Sequence, residues 1–180
     1  MKLIEVEIFT PRLKISPINQ KYASIIFSSF TKDIVKYMYP RSPDKIEETI
    51  EFIKTSLAGI ENGSNLQMVI LNKDNDNFIG CLGLHDINTR TPEIGIWIRK
   101  EYHGYNYGKE AVRYLVFWVA ANLEFSYLRY PVDRRNVPSR RIPESLGGII
   151  EKEFKSISQS GFELDEVEYR IYLDAVGYIT

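Results

Sequence analysis

Residues 99–111 read Arg99-Lys100-Glu101-Tyr102-His103-Gly104-Tyr105-Asn106-Tyr107-Gly108-Lys109-Glu110-Ala111, with Gly104, Asn106 and Gly108 at alternate positions. Glycine and asparagine tolerate left-handed backbone, so consecutive amides can converge on one point. A helix starting just after such a turn adds its positive end, and together they can hold a pyrophosphate without a metal. Spacing alone leaves a second reading open, in which the glycines only turn the chain between a strand and a helix. Neither the dinucleotide fingerprint nor the P-loop with its lysine occurs, which disfavours a dehydrogenase or a nucleotide hydrolase. Arg134, Arg135, Arg140 and Arg141 place four positive charges in eight residues. They suit phosphate, an acidic acceptor, nucleic acid or plain solvent.

The other reactive side chains offer less. His85 and His103 are far apart in sequence, and no His, Cys and carboxylate grouping has metal-ligand spacing. Cys81 lies in the apolar run Phe78-Ile79-Gly80-Cys81-Leu82, which fits a buried thiol in a reducing compartment. Tyr102, Tyr105 and Tyr107 flank the glycines and can line a cofactor mouth or simply pack.

The elements that must position the turn follow from periodicity. Residues 3–9 alternate Ile4, Val6 and Ile8 with Glu5 and Glu7, the pattern of a half-buried strand that Thr10-Pro11 ends. After an extended stretch around Leu13-Lys14-Ile15, Ser16-Pro17 predicts a helix to about Phe30. Ser42-Pro43 predicts a second, with Ile46, Ile50, Ile53 and Leu57 on its buried stripe and an end near Gly59 or Gly63. Residues 66–71 and 78–84 are β-prone runs across the polar stretch 72–77 and predict an antiparallel hairpin. A strand over 94–98 precedes the turn. From Gly108, residues Ala111, Val112, Leu115, Val116, Val119, Ala120 and Leu123 share one helical face. Strands over 126–132 and 167–173 and a short helix from Pro138 or Ser139 to Leu146, stopped by Gly147-Gly148, complete the order. Six or seven strands among at least four helices predict one α+β domain over residues 1–180, a mainly antiparallel sheet with helices on both faces.

Composition narrows the function. With 180 residues, 44% hydrophobic and 26% charged, the chain can bury one ordinary core without staples. Lys plus Arg number 23 against 24 Asp plus Glu, a net charge of -1, which argues against a general trap for nucleic acid. The start Met1-Lys2-Leu3-Ile4-Glu5 breaks up with charge too soon for a signal segment. The longest strongly apolar run, 115–121, is far short of the ~18 residues of a membrane span. A cytoplasmic location is the expectation.

Taken in order, several segments resemble the GCN5-related N-acetyltransferase (GNAT) superfamily, in the branch similar to enzymes that acetylate ribosomal-protein N-termini. They are Thr10-Pro11-Arg12-Leu13, Phe78-Ile79-Gly80-Cys81-Leu82-Gly83-Leu84, Glu93-Ile94-Gly95-Ile96-Trp97-Ile98, the glycine turn, and Val132-Asp133-Arg134-Arg135-Asn136-Val137-Pro138-Ser139-Arg140-Arg141-Ile142 before Leu146-Gly147. The resemblance implies an acyl-CoA N-acyltransferase-like fold that uses acetyl-coenzyme A as co-substrate, with no metal, to acetylate an amine. In that family the turn reads arginine or glutamine, two variable residues, glycine, one variable residue, then glycine or alanine. His103, Asn106 and Gly108 occupy those places, and asparagine departs from the pattern.

The resemblance further implies a coenzyme lying between the strand over 94–98 and the strand over 126–132. Its binding residues would be Ile96, Trp97 and Ile98, then His103, Gly104, Tyr105, Asn106, Tyr107, Gly108 and Lys109, with Asn136 on the pantetheine arm and Arg140 on phosphate. Glu93 is the candidate proton acceptor and Ser139 the candidate donor to the departing sulfur. Read as residues alone, Glu93 is equally a solvated strand-end glutamate, and Ser139 a hydroxyl serving local backbone. The acceptor can be a protein or peptide N-terminus, a small polyamine or an antibiotic amine. An inert acyl-coenzyme A-binding module is the alternative from another class. Related enzymes often pair, so a homodimer is compatible with the resemblance.

Overall fold

The computed structural model describes residues 2–172. Its strands are β1 (Ile8–Phe9), β2 (Leu13–Pro17), β3 (Leu66–Asn72), β4 (Phe78–His85), β5 (Glu93–Ile98), β6 (Leu128–Asp133), β7 (Ile149–Ile157) and β8 (Glu163–Ile171). Its α-helices are α1 (Ala23–Ser29), α2 (Ile46–Glu61), α3 (Tyr107–Asn122) and α4 (Val137–Glu144). The strands form one sheet in the order β1-β2-β3-β4-β5-β6-β8-β7. Every neighbouring pair is antiparallel except β5 with β6. Two parallel neighbours need a crossover, and α3 supplies it.

Directly opposed residues share a face of a sheet. Trp97, opposite Cys81, packs on Phe30 just past α1, whereas Ile96 and Ile98 face Gly108 of α3. Helices α1 and α2 therefore cover one face and α3 the other, in line with the α+β expectation. β3 and β4 are buried along nearly their whole length, because both faces are covered there. The fully buried set includes Leu66, Met68, Ile70, Ile79, Leu82, Leu84, Ile94 and Leu115. Cys81 belongs to it, and burial pushes its thiol far above the ordinary range, which makes it inert.

The ends of the chain depart from the periodicity. Residues 3–9 are not one strand: Leu3–Glu5 is a 3₁₀ turn, and only Ile8–Phe9 pairs. The buried positions are Leu3, Val6 and Ile8 while Ile4 is half exposed, so the alternation was accidental. Ser16-Pro17 ends β2 instead of opening a helix, and Asn19 caps the next turn by accepting the Lys21 N–H at 3.0 Å. The second helix begins at Ile46, three residues after Pro43. β7 has no counterpart in the sequence reading. Its residues are almost all exposed, so no apolar period marks it. The last strand runs Glu163–Ile171, and residue 173 lies outside the described residues.

Candidate active site

β5 and β6 run parallel but are joined at one pair only, Glu93 with Arg129. Alternate residues of a strand send both backbone groups to the same edge. The Arg99 N–H goes to Ile79 O across β4 (2.8 Å), and Pro92 O accepts from Arg129 N on the β6 side (2.8 Å). Even-numbered residues of β5 therefore turn their backbone toward β6. Beyond the single pair that edge is open, and Gly95, Ile96, Trp97 and Ile98 are only half buried although β5 is interior to the sheet. On β6 the next residue aimed at the gap is Pro131, whose missing N–H cannot continue the ladder. An amide-bearing arm can take the place of a strand along such an edge.

At the wide end of the gap the chain leaves β5 through the 3₁₀ turn Lys100–Tyr102. The His103 ring folds back so that Nε2 donates to Ile98 O at 2.7 Å. Gly104 (φ 84) and Asn106 (φ 63) are both left-handed. Asn106 thus supplies the backbone form that glycine would, and its side chain makes no cap bond. The amides of residues 104–109 find no acceptor among the described residues. They surround the start of α3, where the helix dipole adds positive potential. A Cβ on Gly108 would come within 3.3 Å of Ile142 and 3.5 Å of Ile98, so glycine lets α3 seat closely against β5 and α4.

A brace from the other end of the sheet holds this turn. Glu110, in the first turn of α3, accepts from Thr10 Oγ1 (2.5 Å), Arg12 N (3.0 Å) and Arg12 Nε (2.7 Å). Burial opposes its ionisation, but the bonds from Thr10 and Arg12 prevail and hold the carboxyl below its usual range. The Arg12 guanidinium also lies 4.5 Å from the Tyr107 ring centroid. Lys109 lines a groove of about 410 Å³ beside Asn106, with Arg12, Glu110 and Arg113 in its wall.

Across the gap, α4 begins at Val137, capped by Asn136 Oδ1, which accepts the Ser139 N–H at 3.4 Å. The cap is therefore Asn136, and the Ser139 hydroxyl is left for Tyr130 OH, 2.8 Å away. Tyr130 is 2% exposed, and burial pushes its phenol well above the ordinary range, Ser139 opposing. It stays protonated and can back up the serine as a donor. Arg140 points away from the turn, with Nε on Tyr169 OH (3.0 Å), Nη1 on Arg134 O (3.2 Å) and Nη2 near Glu144 (3.7 Å). Arg134 pairs with Glu153 and Asp165, and Arg135 with Asp133. Three of the four clustered arginines are thus used within the fold.

The closed end holds Glu93. Arg129 Nη1 lies 2.8 Å from its Oε2, while the same guanidinium reaches Asp86 (2.6 Å) and Thr91 O (2.9 Å). Burial raises the Glu93 carboxyl above its ordinary value; Arg129 opposes this, and Asp86, Glu168 and Glu166 add to it. Ile96, Ile98 and the turn residues 103–109 thus meet at the wide end, Ser139 stands across the gap, and Glu93 sits at the vertex. Trp97 belongs to the opposite face, against Phe30 and Phe78. Tyr130, Pro131 and Glu110 were missed in the sequence. Pro131 carried a signal, since proline inside a strand marks an edge without a ladder. No group of His, Cys, Asp or Glu among the described residues could hold a metal, and none of their helices is long and apolar enough to cross a membrane.

Known proteins share this fold. The sequence profile of the acetyltransferase (GNAT) domain matches residues 12–149. The uncharacterized N-acetyltransferase YoaA of Bacillus subtilis (strain 168) is 26% identical over 141 residues, covering 77% of this chain and 80% of YoaA. Spermidine N-acetyltransferase from Vibrio cholerae, solved with CoA and spermine, superposes with a TM-score of 0.81 at 17% identity, over 93% of this chain and 99% of that one. RimL, the ribosomal L7/L12 alpha-N-protein acetyltransferase, solved with coenzyme A, gives 0.80 at 15% identity, over 94% and 99%. Those two are named for different acceptors, so the shared fold does not choose one. With a matching profile over most of its length and the parted parallel strands beside a glycine turn, the chain belongs to the GNAT family of acetyltransferases.

Proposed function

We propose that this protein transfers an acetyl group from acetyl-coenzyme A to a primary amine, with a protein or peptide N-terminus as the acceptor to which the sequence resemblance points. The observation that carries this reading is the single β5–β6 pair followed by an open backbone edge that leads to the unpaired amides of residues 104–109. In this reading those amides hold the pyrophosphate, Lys109 and the groove beside it take the nucleotide's outer phosphate, and the edge of Ile96 and Ile98 bonds the pantetheine amides. Acetyl-coenzyme A supplies an activated thioester. The fold suits it because the edge offers amides and carbonyls in strand geometry while the turn offers only donors.

The reaction forms an N–C bond, breaks a C–S bond, removes a proton from nitrogen and delivers one to sulfur. Ser139, backed by Tyr130, is assigned the delivery. Glu93 stands at the vertex paired with Arg129, with Asp86, Glu168 and Glu166 in electrostatic reach. Arg140 is assigned the support of α4 and β8 in place of phosphate contact, because its Nε and Nη1 already donate to Tyr169 OH and Arg134 O.

Calorimetry with coenzyme A, followed by transfer from labelled acetyl-coenzyme A to a panel of a peptide α-amine, spermidine and an aminoglycoside, tests the proposal. Binding with turnover on one amine is expected. No binding at millimolar coenzyme A would overturn the proposal, and binding without transfer to any amine would leave an inert coenzyme-binding module.

A further inference from the structure

On the face of the sheet covered by α1 and α2, the last residue of β4, His85, stands opposite Glu93. The next row inward reads Gln67, Gly83, Gly95 across β3, β4 and β5. Both central positions lack side chains, and the imidazole lies back over them: a Cβ on Gly83 would come 2.6 Å from His85 Nε2, and one on Gly95 would be 3.5 Å from it. Gln67 Oε1 approaches the same point, 2.8 Å from that Gly83 Cβ. Neither ring nitrogen has a hydrogen-bond partner among the described residues, although His85 is half buried. Its Nε2 therefore rests beside β5 with nothing to bond, where β5 and β6 begin to part.

We propose that His85 is the proton acceptor for the amine, with Nε2 taking the proton as nitrogen attacks the thioester. The inference rests on the acetyl-transfer reading above. Neighbouring strands are about 4.8 Å apart, so an amine bonded to Nε2 over Gly95 reaches the rim of the gap on the far edge of β5. Glu93, the other candidate, is already engaged by Arg129 at 2.8 Å. Burial holds the imidazole below its ordinary range, with Asp86 raising it and Arg129 lowering it, so the ring is neutral and free to accept near pH 7. Glycine at 83 leaves room for the ring, and Gln67 limits where it can swing. The proton moves from the amine nitrogen to Nε2 as the N–C bond forms, and the C–S bond breaks with the thiolate protonated from the Ser139 side.

The test is the pH dependence of kcat/KM for transfer to a short peptide with a free α-amine, in the wild type, His85→Gln and Glu93→Gln. The amine's own ionisation, near pH ~8, gives log kcat/KM a slope of about one below that pH, and His85 raises the slope to about two below its own midpoint. His85→Gln is expected to keep only the slope of one, to lose about 100-fold in kcat/KM and to bind coenzyme A normally. Glu93→Gln keeps both slopes, and added imidazole restores part of the rate in His85→Ala. The chain has only two histidines, so NMR of the rings gives the His85 midpoint directly, His85→Gln identifying the signal, and it must equal the kinetic one. If His85→Gln stays within threefold of the wild type with both slopes, or if Glu93→Gln alone loses the steeper slope, the assignment to His85 is wrong while acetyl transfer stands. No transfer by the wild type to any amine would overturn both.

Discussion

Asn106 departs from the family's glycine, and its substitution separates backbone from side chain. The residue is left-handed (φ 63, ψ 17), and its side chain makes no cap bond, so what matters is that the backbone stays where the amides of 104–109 converge. A left-handed backbone costs an L residue roughly 1–2 kcal/mol, and asparagine is among those that bear it best. Alanine should therefore destabilise the turn by about 1 kcal/mol and valine by about 2 kcal/mol. Since the pyrophosphate needs the turn in this form, the same energies should appear in binding. Because the strained turn relaxes in the free variants, coenzyme A affinity should fall about fivefold in Asn106→Ala and about thirtyfold in Asn106→Val, while melting temperature, which does not carry that cost, stays nearly unchanged. Asn106→Gly should bind as tightly as the wild type or better, because no bond is lost and space beside the anion is gained. Calorimetry with coenzyme A and thermal unfolding on the four proteins give the answer. A valine variant within twofold of the wild type, or a glycine variant tenfold weaker, would refute the reasoning.

Further outcomes follow from the braces around the gap. The folded Glu110 carboxyl lies below its unfolded value, so its contribution is fully present above pH ~4.3 and is lost as pH falls through the lower folded value. Glu110→Gln should cost about 1–3 kcal/mol at pH 7, and urea unfolding should find that difference shrinking toward pH 3. A Cβ on Gly80 would sit 2.2 Å from Trp97 O and 3.0 Å from Ile98 Cα, which are backbone atoms that must shift. Gly80→Ala should lose about 1–3 kcal/mol in thermal unfolding, whereas Gly95→Ala, facing only ordinary contact with His85, should stay within about 0.5 kcal/mol. Ser139→Ala should slow single-turnover transfer by about 100-fold with coenzyme A binding nearly unchanged, and unchanged single-turnover rates would remove its donor role.

The glycine turn was legible because its chemistry is local. Gly104, Asn106 and Gly108 state a backbone requirement in residue type, and the periodicity of α3 follows at once. The β3–β4 hairpin was legible for the same reason. What escaped depends on tertiary partners. Ile4, Val6 and Ile8 alternate as a strand would, yet packing buries Leu3 in place of Ile4. β7 carries charges on both sides because neither side is covered. The Ser139 hydroxyl, ambiguous as a cap, finds Tyr130 only because β6 runs under α4. Nothing in sequence joins His85 to Glu93; the β4–β5 register does, and it sets Gly83 and Gly95 beneath the ring.

The account stands on the turn and the parted strands receiving one molecule together. Following backbone amide signals by NMR while coenzyme A is added to the labelled protein tests this most directly. The account predicts that the signals of residues 104–109 and of Ile96 and Ile98 move together, with one saturation curve. Shifts confined to the arginines of residues 134–141, with the turn and the β5 edge unmoved, would contradict it.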